Sequence, residues 1–567
     1  MKNNGTQMVD INDDGLLDII HSKGATTTAY VHTGTGWATS SFTLPIAIVD
    51  NYGKDQGVRF ADVDGDGRID AFRYRENLSD ALFRNTGSGW VPVSLPQALL
   101  PAHKFATPQG KDTGVRFFDI NGDGRADFVY SRNNSDPVVY LYNGFIWDYA
   151  PEWDVPVAFV TNNSSSFDFG VRPVDMNNDG LVDLAYCTGS NNNRYFRVQF
   201  NKGDGTWQEG GSYNSFPTHT PCFAEDWEDT GTRLIDLDDD GILDLSRKEE
   251  NGAEESFVSL NGEHIQLTDL QIPRPVVQHS YGADNGTRLE DLNGDGLTDQ
   301  VSHHLGGEIK FAIRKGKRGE ILSAIKSSKG STTTIDYKMS AWHRDENGAL
   351  LNPSLFTNLN TVEKISVHDG FATTSEITYS YEGGDYYFNN FTDKHPAGFG
   401  LVTKTDVLGN VTKTYFHQGN ESATSTGEYN DHSSKIGRPY RTEQYDDDDN
   451  LFSKTINTWD RYGTMVANNA TSSFVKLAHT VEFTYDGDGD HREKAESYVY
   501  NNINGNLSQK ISWGEVVGNN DGTFSDSGTD KLTSVMTYAT SSTTSTSPIL
   551  LPAREIVLNH ASITVQD

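Results

Sequence analysis

Alternation of apolar and polar residues with a period of two recurs along the whole chain. Clear examples are Thr332–Tyr337, Glu376–Tyr381 and Val481–Tyr485, which place aromatic side chains on one face of an extended segment. This period is typical of half-buried β-strands. Stretches with a helical period are scarce, so the pattern predicts an all-β protein.

Glycine-rich turns follow the alternating runs in the first 320 residues. Three of these turns end in tryptophan and lie within Val31–Trp37, Phe83–Trp90 and Phe200–Trp207. Tight glycine turns between alternating runs predict β-hairpins. Together with an acidic loop near its start, each unit reads as strand, acidic loop, strand, strand, glycine hairpin and strand.

The acidic loops form a repeat. Their first aspartates are at positions 10, 62, 119, 175, 236 and 291, so successive copies lie 52 to 61 residues apart. A Gly-x-Arg segment precedes five of them, whereas the first copy has Gly5 followed by Gln7. Four-stranded units at such a period are the signature of propeller blades, whose radial closure protects the sheet edges. We therefore predict a six-bladed β-propeller over residues 1–320, with a seven-bladed ring as the alternative.

The acidic loops are also candidate metal sites. Oxygen side chains occupy positions 1, 3, 5 and 9 of each loop, glycine occupies position 6, and no sulfur or nitrogen ligand is present. Hard oxygen ligands favour Ca²⁺. The predicted ligands are Asp10, Asn12, Asp14 and Asp18; Asp62, Asp64, Asp66 and Asp70; Asp119, Asn121, Asp123 and Asp127; Asp175, Asn177, Asp179 and Asp183; Asp236, Asp238, Asp240 and Asp244; and Asp291, Asn293, Asp295 and Asp299.

Calcium would relieve repulsion within a loop, because four carboxylates about 5 Å apart repel by about 3 kcal/mol per pair at an effective dielectric constant near 20. The loops begin like EF-hand loops, but position 12 is Arg73, Tyr130 or Tyr186 in three copies and never the usual glutamate. The ninth-position aspartate is expected to complete the ligand set. The alternative is an Asx-rich turn capped by its own backbone, which six evenly spaced copies make less attractive. Calcium is expected to stiffen the blades and to bind the Asp236–Asp244 loop, which also contains Asp239, more tightly than the Asn177/Asn178 loop.

Composition excludes several partners. The chain has 567 residues, with 79 acidic and 46 basic side chains and a formal charge of −33. This charge disfavours nucleic acid and anionic lipid. Neither a signal-peptide-like amino terminus nor an apolar stretch of about 20 residues occurs, so no membrane span is expected. The two cysteines, Cys187 and Cys222, either pair or remain buried thiols.

After position 320 the composition shifts to Ser, Thr, Tyr and Asn, which predicts a domain boundary. The acidic loops resemble FG-GAP or VCBS repeats of integrin-like propellers. The second half resembles the middle region of Tc toxin B components and SpvB-like proteins, in the segments Gly330–Tyr337, Ala397–Gly400, Tyr415–Gly419, Gly437–Pro439 and Thr442–Asp446. Asp406–Tyr415 is similar to a YD or RHS repeat. On this basis residues 321–440 are expected to form a middle-region-like β domain, and residues 441–567 an RHS-like β region that stops short of a complete shell.

The resemblance implies a secreted bacterial insecticidal toxin or virulence component without enzymatic activity. Its propeller would dock on a pore-forming A-type subunit and gate a β shell, completed with an RHS or C-type subunit, that encloses an effector. The chain would then be a fragment of a longer protein. A calcium-dependent adhesion module that binds a glycan or cell-surface protein is the alternative, with Trp37, Trp90 and Trp207 as contact candidates.

A carbohydrate-active enzyme with an accessory propeller is a third possibility, but no catalytic motif supports it. The HExxH, GxSxG and GxxxxGK patterns are all missing from the sequence. For His303, His304 and His417 a packing or surface role is favoured. The acidic run Asp446–Asp449 is interpreted as a solvated hairpin tip.

Overall fold

A computed structural model describes residues 5–566 apart from short internal segments. The segments outside the description are 34–35, 95–100, 145, 162–167, 191–192, 211–221, 226–227, 239–241, 253, 261–262, 268–271, 278–284, 303–309, 316–320, 356–358, 391–392, 421–422, 468–469, 488, 502–504 and 539–551. Asp239, Asp240, His303 and His304 therefore lie outside the described residues. The chain forms two compact units, the first made mainly of residues up to Ile321 together with short later segments such as Phe388–Lys394, and the second of the remaining residues from Leu322 onward.

The first unit is the predicted six-bladed propeller, and the all-β fold class is confirmed. Each blade is an antiparallel meander, with four strands in the first five blades and three described strands in the sixth. The strands are β1 (Thr6–Val9), β2 (Asp18–Lys23), β3 (Thr26–His32) and β4 (Trp37–Ser40); β5 (Val58–Ala61), β6 (Asp70–Arg73), β7 (Ala81–Asn85) and β8 (Trp90–Val93); β9 (Val115–Phe118), β10 (Asp127–Tyr130), β11 (Val138–Tyr142) and β12 (Trp147–Tyr149); β13 (Val171–Val174), β14 (Asp183–Ser190), β15 (Asn193–Asn201) and β16 (Trp207–Glu209); β17 (Ala224–Glu225) and β18 (Glu228–Asp229), a small hairpin; β19 (Thr232–Ile235), β20 (Asp244–Lys248), β21 (Glu254–Leu260) and β22 (Glu263–Leu267); and β23 (Thr287–Glu290), β24 (Asp299–Ser302) and β25 (Lys310–Ala312).

Apolar cores fill the spaces between successive blades. Between blades 1 and 2, for example, Ile11 and Ile20 pack with Val58 and Ala71. Phe72 of blade 2 packs against Phe128 of blade 3 in the next core. Similar clusters follow between blades 3 and 4, 4 and 5, and 5 and 6. Because each blade buries one face against each neighbour, a four-stranded sheet too small to be stable alone becomes part of a continuous core.

The first and last blades of the propeller meet. Trp37 on β4 stacks on Phe311 of β25, with ring centroids 5.4 Å apart and an angle of 17° between the rings. The connections between blades are also regular, since in four of them a residue forms a parallel bridge at or just beyond the end of the preceding blade's second strand, namely Lys23–Val49, Arg75–Ala106, Arg132–Val160 and Glu249–Val277. The repeat in the sequence is therefore a repeat of packing as well as of strands.

The second unit is built on one antiparallel sheet of 15 strands. The strands are β26 (Ala324–Lys326), β27 (Thr332–Met339), β28 (Asn360–His368), β29 (Thr374–Asn390), β30 (Asp393–Thr405), β31 (Val411–Phe416), β32 (Pro439–Tyr445), β33 (Leu451–Ala467), β34 (Ala470–Tyr485), β35 (His491–Tyr500), β36 (Leu507–Gly518), β37 (Phe524–Asp526), β38 (Leu532–Tyr538), β39 (Pro552–Leu558) and β40 (Thr564–Gln566). They pair in chain order, except that β37 pairs only with β36 and β38 continues the sheet from β36. The sheet runs without interruption across position 440, where a further boundary is predicted from the sequence.

Short helical turns complete the described structure. Among the described residues, four three-residue 3₁₀ turns occur, at Pro151–Trp153, Ser340–Trp342, Thr424–Thr426 and Ser433–Lys435. Within the described ranges, no helix has the length and apolar character needed to cross a bilayer.

Cys187 and Cys222 form a disulfide that links β14 to the segment before β17, and both residues are buried. The pairing left open by the sequence is therefore present in the structure. It joins the fourth blade to the connection that leads into the fifth.

Candidate metal centres in the acidic loops

The acidic loops connect the first and second strands of the blades, and the five loops that the structure describes in full share one backbone conformation. In the loop between β9 and β10, the backbone is left-handed at positions 4 and 6, with φ of 74° at Gly122 and 82° at Gly124. This turn aims main-chain N–H groups at the first aspartate. Gly122 donates to Asp119 Oδ1 at 2.8 Å, and Gly124 donates to Asp119 Oδ2 at 2.6 Å. The sequence indicated the glycine at position 6 but not the same demand at position 4, where Asp13 and Asn178 also adopt positive φ.

The ninth-position aspartate is the most deeply buried member of each loop. Its relative exposure is 0 or 1% in all six copies. One carboxylate oxygen accepts the N–H of loop position 2, and the other accepts an N–H within two residues of the end of the third strand. For Asp127 these donors are Ile120 at 3.1 Å and Tyr142 at 2.8 Å. The equivalent pairs are Ile11 and His32 for Asp18, Val63 and Asn85 for Asp70, Met176 and Asn201 for Asp183, Leu237 and Ser259 for Asp244, and Leu292 and Arg314 for Asp299.

Burial raises the pKa of these ninth aspartates, and the other loop carboxylates add to the rise while the two backbone hydrogen bonds oppose it. The pKa reaches about 8 for Asp70, about 7 for Asp18, Asp127 and Asp244, and about 6 for Asp183 and Asp299. Burial also raises the pKa of the first aspartate in three loops, Asp10, Asp119 and Asp291. Without a bound cation, the environment therefore disfavours the ionised form of these carboxylates.

Two loops bring three carboxylates together. One oxygen each of Asp62, Asp64 and Asp70 lie within 4.8 Å of one another, and the same holds for Asp236, Asp238 and Asp244. Two oxygens in other loops are buried and accept no hydrogen bond, namely Asn12 Oδ1 and Asp175 Oδ1. An all-oxygen donor set with such orphaned atoms fits a Ca²⁺ ion.

The four loops with asparagine at position 3 also contain a competing arrangement. The asparagine amide donates to the aspartate at position 5, at 2.9 Å from Asn177 to Asp179 and 3.1 Å from Asn12 to Asp14. The same bond links Asn121 to Asp123 and Asn293 to Asp295. In the third loop Arg125 also forms an ion pair with Asp123 at 2.6 Å. In these loops the position-5 carboxylate is partly satisfied by hydrogen bonds from the loop's own side chains, which is the arrangement expected of capped Asx turns.

A contact between blades escaped the sequence analysis. In blades 2, 4 and 6, the residue that donates its N–H to the ninth aspartate also uses its side chain to bind the loop of the preceding blade. Asn85 Nδ2 donates to Ile11 O at 3.0 Å, and Asn201 Nδ2 donates to Ile120 O at 2.6 Å. Arg314 binds Asp236 O at 3.0 Å in the same way. The available signal was the Asn-x-Gly at the start of the hairpins, where Asn85 and Asn201 also accept the N–H of the glycine.

The tryptophans pack inside the propeller. Trp90 lies 5.4 Å from Phe42 between blades 1 and 2, and Trp207 packs on the core between blades 3 and 4. Trp37 stacks on Phe311 and donates its indole N–H to Leu17 O at 3.2 Å. These contacts account for all three glycine-hairpin tryptophans as packing residues.

Comparison with known proteins places both halves of the chain. Residues 119–186 and 175–245 match the FG-GAP-like repeat, and residues 265–420 match the family described as the insecticide toxin TcdB middle/N-terminal region. A solved structure of the Photorhabdus luminescens Tc holotoxin pore aligns with 98% of this chain at 14% identity and a TM-score of 0.70. The crystal structure of TcdB2–TccC3 without its hypervariable C-terminal region aligns with 98% at 13% identity and a TM-score of 0.61.

The predicted resemblance to Tc toxin B components is confirmed. At these identities the structural matches establish a shared fold. This chain spans 29% of the length of each of those two solved chains. No match was found among curated protein sequences.

In the part that resembles the toxin middle region, His417 belongs to a buried polar cluster. His417 Nδ1 lies 3.0 Å from Asp431 Oδ1 and 3.5 Å from Glu428 Oε1. The second oxygen of Asp431 accepts the N–H groups of Gln418 and Asn420. Lys435, which is also buried, donates to Tyr429 O at 2.6 Å.

Burial disfavours protonation of His417 and is the largest single influence on it. The hydrogen bonds of Asp431 and Glu428 and the charge of Asp431 together outweigh burial, so the pKa of His417 is raised above its ordinary value. A protonated His417 and Lys435 would balance the two carboxylates without a metal ion. The packing role favoured from the sequence thus includes close contacts of His417 with two buried carboxylates.

Proposed function

We propose that this chain is a non-enzymatic component of a secreted bacterial toxin complex. In this proposal the propeller docks on a pore-forming A-type subunit and gates a β shell formed together with an RHS or C-type subunit. The supporting observation is the order of the two units. A propeller with FG-GAP-like repeats is followed by a 15-stranded sheet, and the toxin middle-region match spans the end of the first unit and the start of the second.

The acidic loops would hold Ca²⁺ as a structural ion. Asp62, Asp64 and Asp70 in the second loop and Asp236, Asp238 and Asp244 in the fifth would supply the ligands, with Asp66 and Asp240 completing the predicted sets. The ion would neutralise the buried carboxylates and fix the turn between the first and second strands of a blade. The third loop, in which Arg125 pairs with Asp123, is expected to bind more weakly.

Binding to a partner subunit tests the toxin role. The purified chain would be passed over an immobilised Tc toxin A component. The expected result is saturable binding through the propeller. A matched sample unfolded by heat controls for non-specific adsorption. Absence of binding to A components, combined with binding to a glycan array, would replace the toxin role with the adhesion role.

The adhesion role finds no support in the tryptophans on which it depended. Trp37, Trp90 and Trp207 are all engaged in packing, with Trp37 held by both Phe311 and the Leu17 carbonyl. A glycan site elsewhere on the propeller would have to use other residues. The glycan array therefore serves as the competing arm of the binding experiment.

A further inference from the structure

The same set of contacts holds an arginine near the start of four blades. Arg59, Arg116, Arg172 and Arg233 each pair with the aspartate four residues earlier, at 2.9 to 3.0 Å. Each guanidinium also donates to the carbonyl of the residue before it, at 2.8 to 3.0 Å. The four arginines are therefore held in the same way.

A phenylalanine covers three of these four arginines. The guanidinium carbon lies 5.5 Å from the ring centre of Phe105 at Arg59, 5.2 Å from Phe159 at Arg116 and 5.3 Å from Phe223 at Arg172. The three rings are fully buried, with relative exposures of 0 or 1%. Each comes from the connection to the next blade, so the ring is part of the joint between blades.

Val276 occupies the equivalent position opposite Arg233. The N–H of Phe105 donates to Tyr74 O at 2.9 Å and that of Phe159 to Ser131 O at 3.1 Å, and in both cases the acceptor directly follows the blade's second strand. The N–H of Val276 makes the same bond with Lys248 O at 3.0 Å. Among the described residues, no aromatic ring lies over Arg233.

A cavity of about 340 Å³ is found at this joint, lined by Asp229, Arg233, Leu234, Val276, Arg288 and Leu289 together with three further residues of β19 and β23. Leu289 follows Arg288 at the position that Phe117, Pro173 and Leu234 hold in the three preceding joints, so this position carries a ring in only one of them. For scale, a dry apolar cavity of about 150 Å³ is large enough to hold benzene.

We infer that this cavity between blades 5 and 6 binds a single planar aromatic ring, seated on the Arg233 guanidinium where the other joints place phenylalanine. Asp229 fixes the cation, and Leu234, Val276 and Leu289 supply apolar walls, while Thr287, Arg288 and Glu290 make the rest of the lining polar. A cation held beside apolar walls attracts an aromatic face more strongly than a saturated ring. This inference concerns the propeller alone and does not depend on the toxin role.

Phenol and cyclohexanol are matched probes, since they share a six-membered ring and a hydroxyl group and differ in aromaticity. In saturation-transfer difference NMR with the full chain, phenol should give a clear signal, and cyclohexanol should give a weaker one. A second comparison uses a short peptide that contains one phenylalanine and the same peptide with alanine in its place. Binding of the first peptide but not the second shows that the cavity also accepts the ring of a protein side chain. Binding of cyclohexanol as strong as that of phenol would overturn the inference.

Two variants locate the site. Val276→Phe places the missing ring in the cavity, so it should abolish the phenol signal and raise the melting temperature of the propeller. Phe159→Val opens the same space over Arg116, so it should lower the melting temperature and add a second phenol site. Phenol binding that is unchanged in Val276→Phe contradicts the inference. Should that variant fail to fold, the absence of a gained site in folded Phe159→Val contradicts it equally.

Discussion

At the scale of single residues, the ninth aspartate of each acidic loop is a structural hub whether or not a metal is bound. Its two oxygens tie the loop to the end of the third strand of the same blade. In Asp70 and Asp183 the second donor is an asparagine that also holds the preceding blade's loop. One carboxylate thus links the strands of its own blade to the neighbouring blade.

Asp127→Asn should therefore destabilise the propeller even in the absence of calcium. The amide offers one acceptor where the carboxylate offers two, so either the Ile120 or the Tyr142 N–H loses its buried partner. A buried unsatisfied group costs about 1–3 kcal/mol. Chemical denaturation in EGTA measures this loss without a contribution from metal binding.

Asp136→Asn is the matched control, because it removes the same charge from an exposed position of the same blade. It should leave the denaturation midpoint nearly unchanged. Equal midpoints for the two variants would show that the buried carboxylate has no special structural role.

His417 predicts a dependence of stability on pH. Its pKa in the folded chain is raised above the ordinary value of 6.5. A raised folded-state pKa means that protonation favours folding, so this contribution is fully present below pH 6.5 and is lost as the pH rises through the folded-state pKa. The stability of the second unit should fall over that interval.

His417→Gln should flatten the fall, because glutamine keeps a hydrogen-bond donor but does not titrate. Denaturant midpoints measured for both proteins from pH 6 upward give the difference that belongs to His417. A wild-type curve parallel to that of the variant would mean that His417 is neutral throughout this range.

At the scale of elements, the sequence was most informative where the interactions are local. The acidic loop, its glycines and the following hairpin lie within a few residues of one another, so their repeat predicted the blades. The tip at Asp446–Asp449 was predicted for the same reason, and it lies in the turn between β32 and β33. Asp446 accepts the N–H groups of Asp448 and Asn450 there.

Interactions that depend on packing between elements were not predictable in this way. The partner of Asp127 across the blade is Tyr142, 15 residues later, and nothing local marks it. The full length of β33 and β34 was also missed, although Val481–Tyr485 at the end of β34 was recognised, since register shifts near Trp459 and Tyr462 interrupt the alternation over the rest of these strands. That Val276 stands where three other joints have a phenylalanine becomes clear only when the contacts of the joints between blades are compared.

The disulfide between blade 4 and the connection to blade 5 should contribute to stability through the unfolded chain. It joins residues 35 apart in sequence. Closing a loop of that length in the unfolded state is worth about 4 kcal/mol in the chain-entropy account. The double variant Cys187→Ser/Cys222→Ser should unfold at lower denaturant concentration than the oxidised protein.

Reductant provides the internal control for this prediction. It should lower the midpoint of the natural sequence toward that of the double variant and leave the variant unchanged. A natural sequence that is insensitive to reductant, with free thiols detected after treatment, would show that the bond contributes little.

At the scale of the whole molecule, the propeller couples its loops through the ring. Side chains of blades 2, 4 and 6 hold the loops of blades 1, 3 and 5, and the Trp37–Phe311 stack joins the ends. Loosening of one loop should therefore weaken the packing of its neighbour. The joint between blades 5 and 6 interrupts this regular packing, because a cavity lies there where three other joints place a phenylalanine ring over the arginine.

Calcium removal tests this coupling on the complete chain. An ion that binds only the folded state stabilises it by about 2.7 kcal/mol per site at 100 times its dissociation constant. EGTA should therefore lower the melting temperature of the propeller, and added Ca²⁺ should restore it.

The six loops should also differ in their affinity for Ca²⁺. Asp236→Asn should remove a tighter site than Asp175→Asn, because Asp236, Asp238 and Asp244 converge whereas the fourth loop carries Asn177 and Asn178. Calorimetric titration of the two variants measures the order directly. A melting temperature indifferent to EGTA would leave the loops as capped turns, with the ninth aspartates acting through hydrogen bonds alone.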